Sequence, residues 1–252
     1  MEIVVHKNDV WGQEVLLGVS WDLLWLIVVA SFVVIIVHLL VMAVRTRPER
    51  ATAEGTRLNR HAKSDRIFHW VMAVSTVVLL FTGILPIIGV KFGWLTIHWI
   101  SGIVLTASVL FHIVRSLFWQ DPLSMWVAPR DLREPFDSTQ KPGKYSLAQK
   151  GMHLAMTLVV LVVIGSGLVM LSLIDTPLWA RLAWLSEGAL GWVFVLHGAS
   201  TLALIALTAL HIYFGVRPEK LFYTRSMIKG WISEPELEAH HDPARWMPDK
   251  TA

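Results

Sequence analysis

The stretch VLHGASTLALIALTALHIYFGV, residues 195–216, contains no charged residue but two histidines, His197 and His211. In an α-helix, fourteen residues come within about 40° of four full turns and rise about 21 Å. The two imidazoles are therefore predicted to lie on the same face of one helix, at two different depths. All the other residues of the stretch are ones that a lipid bilayer accommodates, so the two histidines need an explanation.

Five long apolar segments occur in the chain, at residues 21–44, 67–90, 94–118, 148–174 and 189–216. Hydrophobic residues make up 54% of the sequence and charged residues only 16%. Each segment reaches the ~20 residues that a helix needs to cross a bilayer, and a helix satisfies its own backbone groups there. The first segment lacks the basic leader and cleavage site of a signal peptide. The sequence therefore predicts an all-α membrane protein with five transmembrane helices.

The basic residues are distributed very unevenly between the two sides of this predicted topology. One side has Lys7, Lys91 and Arg181, and the other nineteen lie in the first loop, around the third loop and in the tail. Those nineteen are Arg45, Arg47, Arg50, Arg57, Arg60, Lys63, Arg66, Arg115, Arg130, Arg133, Lys141, Lys144, Lys150, Arg217, Lys220, Arg225, Lys229, Arg245 and Lys250. Basic loops stay in the cytoplasm, which predicts an outer N-terminus and a cytoplasmic C-terminus.

The chain has no cysteine, which excludes cysteine-ligated iron–sulfur clusters and covalently attached c-type haem. The pI near 9.3 follows from the cytoplasmic loops and does not indicate a nucleic-acid partner.

Histidines occur at two predicted depths in these segments. His98 and His197 lie near the outer face, whereas His38, His69, His112, His153 and His211 lie toward the cytoplasm. A single one, such as His38 or His153, is explained by a polar contact between helices, but ionisable residues inside a membrane are costly and usually functional. Neutral imidazole is a common axial ligand of haem iron, so two levels predict two stacked bis-histidine haems.

Glycines occur where such haems would press on the helices, at Gly83, Gly102, Gly167 and Gly198. Small residues also allow helices to approach one another, so the glycines alone leave both explanations open.

Six segments of the chain resemble one family in order and spacing. They are DRIFHW (65–70), IHWISGIVL (97–105), KYSLAQK (144–150), LHGAS (196–200), LHIYFGV (210–216) and SMIKGWI (226–232). Over residues 66–246 the chain resembles the cytochrome b (gamma) subunit of respiratory formate dehydrogenases and, more distantly, the cytochrome b of membrane hydrogenases. The first helix and the N-terminal tail lie outside the resemblance.

The resemblance implies which histidines form pairs. It assigns His98 and His197 to an outer haem b, and His69 and His211 to an inner haem b. Spacing alone also allows His112 with His211, the pattern of quinol–cytochrome c reductase cytochrome b, because His112 lies fourteen residues after His98. If His69 is the ligand, His112 becomes a neighbour of the haem or its propionates, where Arg115 could pair with a carboxylate.

The family also reduces a quinone beside the inner haem, at the start of the fourth helix. The resemblance therefore implies a menaquinone or ubiquinone site formed by Tyr145, Ser146, Ala148 and Gln149 together with His211. Relatives commonly have Asn at the position of Ser146 and Gly at that of Ala148, so the contacts here differ. For Tyr145 and Gln149, an ordinary interfacial helix start is the alternative explanation.

We expect three regions: the tail, first helix and basic loop at 1–65, a di-haem four-helix domain at 66–216, and a cytoplasmic tail at 217–252. The expected function is a subunit in a bacterial cytoplasmic (inner) membrane that carries electrons to quinone. The resemblance implies an iron–sulfur subunit and a molybdenum or tungsten catalytic subunit as partners. The alternatives are a cytochrome b serving a hydrogenase or a thiosulfate reductase, and a histidine-bearing proton-coupled transporter.

Overall fold

The computed structural model describes residues 2–44, 52–137 and 139–250. Within these residues, five helices are long and apolar enough to cross a membrane. They are α1 (Asp22–Val44), α2 (Lys63–Ile87), α3 (Trp94–Trp119), α4 (Leu147–Leu171) and α5 (Glu187–Val216). The predicted all-α membrane architecture is confirmed, and the predicted ends differ from the observed ones by at most four residues. Arg45, Arg47 and Arg50 of the basic loop lie outside the described residues.

Most apolar side chains on these helices are exposed in the isolated chain. Leu40 and Leu158, for example, are 65% and 67% exposed. Such side chains would be costly in water, but lipid is as apolar as the residues themselves. The exposure is therefore the surface expected of helices that contact lipid.

The chain divides into two compact units. One consists of Met1–Ile36, Ser75–Thr106 and Met156–Ala209, and the other of Val37–Val74, Ala107–Ala155 and Leu210–Ala252. His98 and His197 belong to the first unit, which we call the outer unit after its predicted side. His38, His69, His112, His153 and His211 belong to the second, which we call the inner unit.

The outer unit begins with a hairpin that the sequence analysis did not predict. Strand β1 (Val4–Asn8) pairs antiparallel with β2 (Glu14–Val19). In the turn, Asp9 Oδ1 accepts hydrogen bonds from the backbone N–H groups of Trp11 and Gln13, both at 2.8 Å. Gly12 has φ +80°, a conformation that favours glycine.

The hairpin packs on α5. A Cβ at Gly191 would lie 2.7 Å from the backbone oxygen of Leu16, and one at Gly198 would lie 2.5 Å from Val19 Cγ2. Positions seven apart lie on one face of a helix, so the two glycines form a flat surface against β2. Gly198 therefore faces the hairpin, so close packing is the explanation that applies to it, and not space beside a haem.

In the inner unit, the C-terminal residues fold against the segment that precedes α2. Strand β3 (Arg57–Asn59) pairs antiparallel with β4 (Trp231–Ser233). Along the chain, β4 lies between α6 (Leu221–Lys229) and α7 (Glu234–His240). Ser233 and Glu236 cap α7 reciprocally, a standard capping box. The small core of this region contains Leu58, Phe222, Ile232 and Leu237.

Asp131 is the centre of an ion-pair network in the inner unit. Its side chain is fully buried and lies 2.7 Å from both Lys150 Nζ and Arg245 Nη2. Burial raises the pKa of Asp131, but hydrogen bonds from Lys150, Ala128 and Arg245 outweigh this effect and hold the pKa below its usual value. The carboxylate therefore remains charged and fixes the start of α4 to the C-terminal region.

Candidate haem sites

The outer unit brings the imidazole of His98 on α3 close to that of His197 on α5. Their ring centres are 6.3 Å apart, and the ring planes are inclined by 70°. A metal ion shared by two imidazoles, about 2.0 Å from one nitrogen of each ring, places the two ring centres roughly 6 Å apart. The pair therefore has the separation that two axial ligands of one iron require.

Two hydroxyl groups orient these rings. Thr82 Oγ1 donates to the carbonyl oxygen of Val78 at 2.7 Å and lies 2.8 Å from His98 Nδ1. Because the hydroxyl hydrogen is used by the carbonyl, the oxygen accepts the N–H of the ring. His98 is thereby held as the Nδ1–H tautomer, with the lone pair of Nε2 free to bind a metal.

Ser166 does the same for the other ring. Its Oγ donates to the carbonyl oxygen of Val162 at 2.6 Å and lies 3.0 Å from His197 Nδ1. In both rings of the outer pair, Nδ1 thus carries the proton and Nε2 is free. Partners of this kind orient metal-binding histidines and increase their basicity.

A glycine follows each hydroxyl residue and lies beside a ring. A Cβ at Gly83 would lie 3.7 Å from His98 Cε1, and one at Gly167 would lie 3.4 Å from His197 Cε1. These two glycines leave space next to the imidazoles. A Cβ at Gly102 would instead lie 4.0 Å from Leu79 Cδ2.

The inner unit contains a second pair of the same separation, His69 of α2 and His211 of α5. Their ring centres are also 6.3 Å apart, with the planes inclined by 50°. The indole of Trp70 packs edge-on against His69, and its Nε1 donates to the carbonyl oxygen of Met227 at 3.1 Å. The start of α2 is thereby attached to α6.

His112 forms a different contact from the one that spacing allows. Its ring centre lies 6.1 Å from that of His153, and its ring packs on Phe68 with centres 4.8 Å apart. The Nδ1 atoms of His112 and His153 are buried and have no hydrogen-bond partner among the described residues. This third pair therefore lacks the ring-orienting hydroxyls of the outer pair.

Arg115 forms an ion pair within the inner unit. Its Nε lies 2.7 Å from Asp65 Oδ1, and Gln120 donates to the same oxygen at 2.9 Å. Asp65 therefore engages one donor of the Arg115 guanidinium, and a contact between Arg115 and a haem carboxylate stays a prediction.

The residues of the expected quinone segment lie at the start of α4, where two of them cap the helix. The Ser146 N–H donates to Gln149 Oε1 at 3.0 Å, and the Gln149 N–H contacts Ser146 Oγ at 3.4 Å. This reciprocal cap uses one oxygen of each side chain and leaves the Ser146 O–H and the Gln149 amide N–H groups available. Ala148 is exposed, and burial raises the pKa of the Tyr145 phenol.

Four basic side chains lie around the start of α2, and we call them the basic cluster. They are Arg60, His61, Arg66 and Lys144. Arg60 is buried, its Nη1 donates to His241 Nε2 at 3.0 Å, and its Nη2 donates to the carbonyl oxygen of Lys144 at 2.8 Å. The backbone N–H groups of Arg60 and His61 both donate to the Gly230 carbonyl. A Cβ at Gly230 would lie 3.2 Å from Arg66 Cζ, so these residues converge at the end of α6.

Mutual repulsion is evident within the basic cluster. Burial, followed by the charges of Arg60 and Lys144, lowers the pKa of His61 to about 2. Burial and then Arg60 lower the pKa of Lys144. His61 is therefore neutral at physiological pH, and Lys144 is held in a surrounding that disfavours its charge.

His38 of α1 contacts α5 through a polar chain. Its Nδ1 lies 2.7 Å from the Tyr213 hydroxyl and its Nε2 3.4 Å from Arg217 Nη1, and Arg217 forms an ion pair with Glu219. Sequence reasoning did not identify Tyr213, Thr82 or Ser166. The one sequence feature that could have identified the latter two is a hydroxyl residue followed by glycine on each helix that faces an outer histidine.

Two comparisons with known proteins identify the family. Residues 60–230 match the family model described as prokaryotic cytochrome b561. The chain is also 24% identical over 216 residues to the formate dehydrogenase cytochrome b556 subunit of Haemophilus influenzae, covering 77% of this chain and 84% of that protein. The five apolar helices agree with both matches. The chain therefore belongs to the prokaryotic cytochrome b561 family of haem b-binding membrane proteins.

Proposed function

We propose that the chain is the di-haem membrane subunit of a formate dehydrogenase-like oxidoreductase and passes electrons to quinone. The observation that carries the proposal is the outer pair, in which both rings have Nδ1–H held by a hydroxyl and Nε2 free at a separation suited to one iron. The equal separation of His69 and His211 supports a second haem. Haem b, when bound, supplies a one-electron redox centre at each pair.

The side chains of this chain contribute binding, orientation and space. His98, His197, His69 and His211 provide the axial nitrogens, and Thr82 and Ser166 hold the outer rings in the tautomer that leaves Nε2 free. Gly83 and Gly167 leave room beside the outer rings. Fixed ligands of this kind reduce the rearrangement that accompanies each electron transfer.

Quinone reduction is proposed at the start of α4, near the inner pair. A quinone takes up two electrons and two protons to become quinol, so its site needs hydrogen-bond donors. Among the described residues, the Ser146 O–H and the Gln149 amide N–H groups are not used by the helix cap, and the Tyr145 O–H is a third candidate donor. The exposed Ala148 leaves a route from the lipid, where menaquinone or ubiquinone dissolves.

Substrate oxidation is assigned to partner subunits. The chain lacks the cysteines that would ligate an iron–sulfur cluster, and the similar Haemophilus influenzae protein is a subunit of formate dehydrogenase. We therefore propose an iron–sulfur subunit and a molybdenum or tungsten catalytic subunit as partners. Copurification of the complex identifies them and separates this function from that of a hydrogenase cytochrome b.

The proposed direction of electron flow is inward. The nineteen-to-three distribution of basic residues supports an orientation in which the outer pair lies away from the cytoplasm and the inner pair beside it. Electrons that enter at the outer haem and leave at the inner one move against the membrane potential, at roughly 2.3 kcal/mol per 100 mV for a full crossing. Quinone protonated from the cytoplasm would make this chain half of an energy-conserving redox loop.

The first prediction concerns the outer haem and tests the proposed function as a whole. The purified chain should show a reduced-minus-oxidised spectrum of haem b with two haems per chain, and His197→Ala should retain about one because the second axial nitrogen is removed. Quantifying extracted haem measures the loss, and His153→Ala is the matched control that should keep two. A colourless wild-type protein, or a folded His197→Ala variant with two haems, would rule out the assignment.

The second prediction separates the two candidates for the inner ligand. His69→Ala should lose the inner haem, whereas His112→Ala should keep it, because His69 is the ring that faces His211. Haem content and low-temperature difference spectra of the two variants provide the measurement. The reverse pattern would favour His112 as the ligand.

The third prediction follows from the hydroxyl that orients His98. Thr82→Val keeps the shape but removes the acceptor for Nδ1–H, so the ligand becomes less basic and the oxidised iron less stable. The midpoint potential of the outer haem should rise by up to about 60 mV, equivalent to tenfold in a one-electron equilibrium constant. Thr106→Val is the control, since Thr106 Oγ1 donates to the Gly102 carbonyl at 2.7 Å. Equal potentials in wild type and Thr82→Val would contradict this role.

The fourth prediction tests the orientation and uses the absence of native cysteine. Val10→Cys in the hairpin turn should react with a membrane-impermeant maleimide in intact cells. Glu238→Cys on α7 should react only after the membrane is permeabilised. Labelling in the opposite order would show that the topology is the reverse of the predicted one, and it would contradict the proposed charge separation.

A further inference from the structure

Positive charge without a matching carboxylate accumulates in the basic cluster. Among the described residues, no carboxylate forms an ion pair with Arg60, Arg66 or Lys144. The nearby Asp65 is engaged by Arg115 and Gln120. Removing cations from water without a partner is costly, so an anion from outside the polypeptide is expected here.

The geometry of the basic cluster limits where such an anion would bind. Arg60 Cζ and Lys144 Nζ lie 5.8 Å and 5.4 Å from the centre of the same ring, that of Tyr145. Both terminal nitrogens of Arg60 already bond to protein atoms. Arg66 uses Nη1 for the Ile228 carbonyl, and its buried Nε has no partner in the described part of the chain. The buried Nε of Arg60 likewise has no partner there, but Arg66 and Lys144 are the cluster cations whose terminal nitrogens are not all engaged in the described hydrogen bonds.

The basic cluster lies next to the inner histidine pair. Arg66 precedes His69 by three residues on α2, and side chains at this spacing are neighbours on one helix face, with Cβ atoms roughly 5–6 Å apart. Arg66 of the basic cluster therefore lies one helical turn from His69, a proposed axial ligand.

We propose that the basic cluster binds the propionate carboxylates of the inner haem, with Arg66 and Lys144 as the charged donors. The inference rests on the proposed function, because it requires a haem between His69 and His211. Two cations match the two negative charges of the propionates. Arg115, the candidate suggested by the sequence, already forms an ion pair with Asp65 through Nε, whereas Arg66 and Lys144 form no ion pair with a carboxylate among the described residues.

An anionic phospholipid headgroup offers similar chemistry, since its phosphate would also pair with Arg66 and Lys144 at the helix ends. We favour the propionates because Arg66 lies beside a ligand of the proposed haem. The experiment separates the two sources.

The test compares Arg66→Gln and Lys144→Gln with the wild-type chain, purified with its haems. Spectroelectrochemical titration gives both midpoint potentials, and His197→Ala identifies which of them belongs to the inner haem. Redox-difference infrared spectra, recorded with haem labelled with ¹³C in its carboxyl groups, report on the propionates directly. Lys144→Arg retains the charge, and Lys141→Gln removes an exposed lysine three residues away that donates to the Glu238 carbonyl.

Both glutamine variants should lower the potential of the inner haem and shift its ¹³C-sensitive carboxylate bands, because nearby positive charge favours the reduced iron. The outer potential should not change, Lys144→Arg should restore the wild-type values, and Lys141→Gln should resemble wild type. Unchanged potential and bands in variants that hold both haems would overturn the inference. Loss of bound anionic phospholipid without a change in the bands would assign the basic cluster to a headgroup. A wild-type chain without an inner haem would instead refute the proposed function itself.

Discussion

An uncharged imidazole inside a membrane must satisfy its N–H group without water, and this constraint governs the outer unit. Leaving a buried donor unpaired costs about 1–3 kcal/mol, and helical backbone carbonyls are already engaged by their own helix. Thr82 and Ser166 resolve this by donating to a carbonyl one turn earlier while accepting the ring N–H. The same hydrogen bonds decide which ring nitrogen remains free. The satisfaction of the buried N–H group and the ability of the ring to bind a metal therefore depend on the same two hydroxyl groups.

Helix α5 carries a histidine of each proposed haem, and the N-terminal residues pack on it in both units. In the outer unit, β2 lies on Gly191 and Gly198. In the inner unit, His38 of α1 contacts Tyr213, two residues beyond His211. The N-terminal region lies outside residues 60–230, which match the family model. We infer that this extra region stabilises the helix that carries a histidine of each proposed haem site.

The sequence predicts the helices well because lipid imposes one requirement on every residue of a span. The hairpin at residues 4–19 was not predicted, since two short strands against a helix leave little periodic pattern. Thr82 and Ser166 were also missed, because hydroxyls that bond back to their own helix are common and only the opposing ring makes these two significant. Spacing could not choose between His69 and His112 as the partner of His211, since that choice depends on which helix brings a histidine next to α5 at the position of His211. The ligand pairs, the quinone segment and the division at residues 65 and 216 remain predictions.

The excess of basic residues over engaged carboxylates in the inner unit bears on more than the predicted topology. Several carboxylates in the inner unit are engaged: Asp131 with Lys150 and Arg245, Glu236 with Arg225, and Asp65 with Arg115. These pairs fix the C-terminal region, the end of α3 and the start of α4. Among the described residues, Arg66 and Lys144 form no ion pair with a carboxylate, and Arg66 lies one turn before His69 on α2. Positive charge at that position would favour electrons on the proposed inner haem, so basic residues that predict the orientation of the chain would also help to draw electrons inward against the membrane potential.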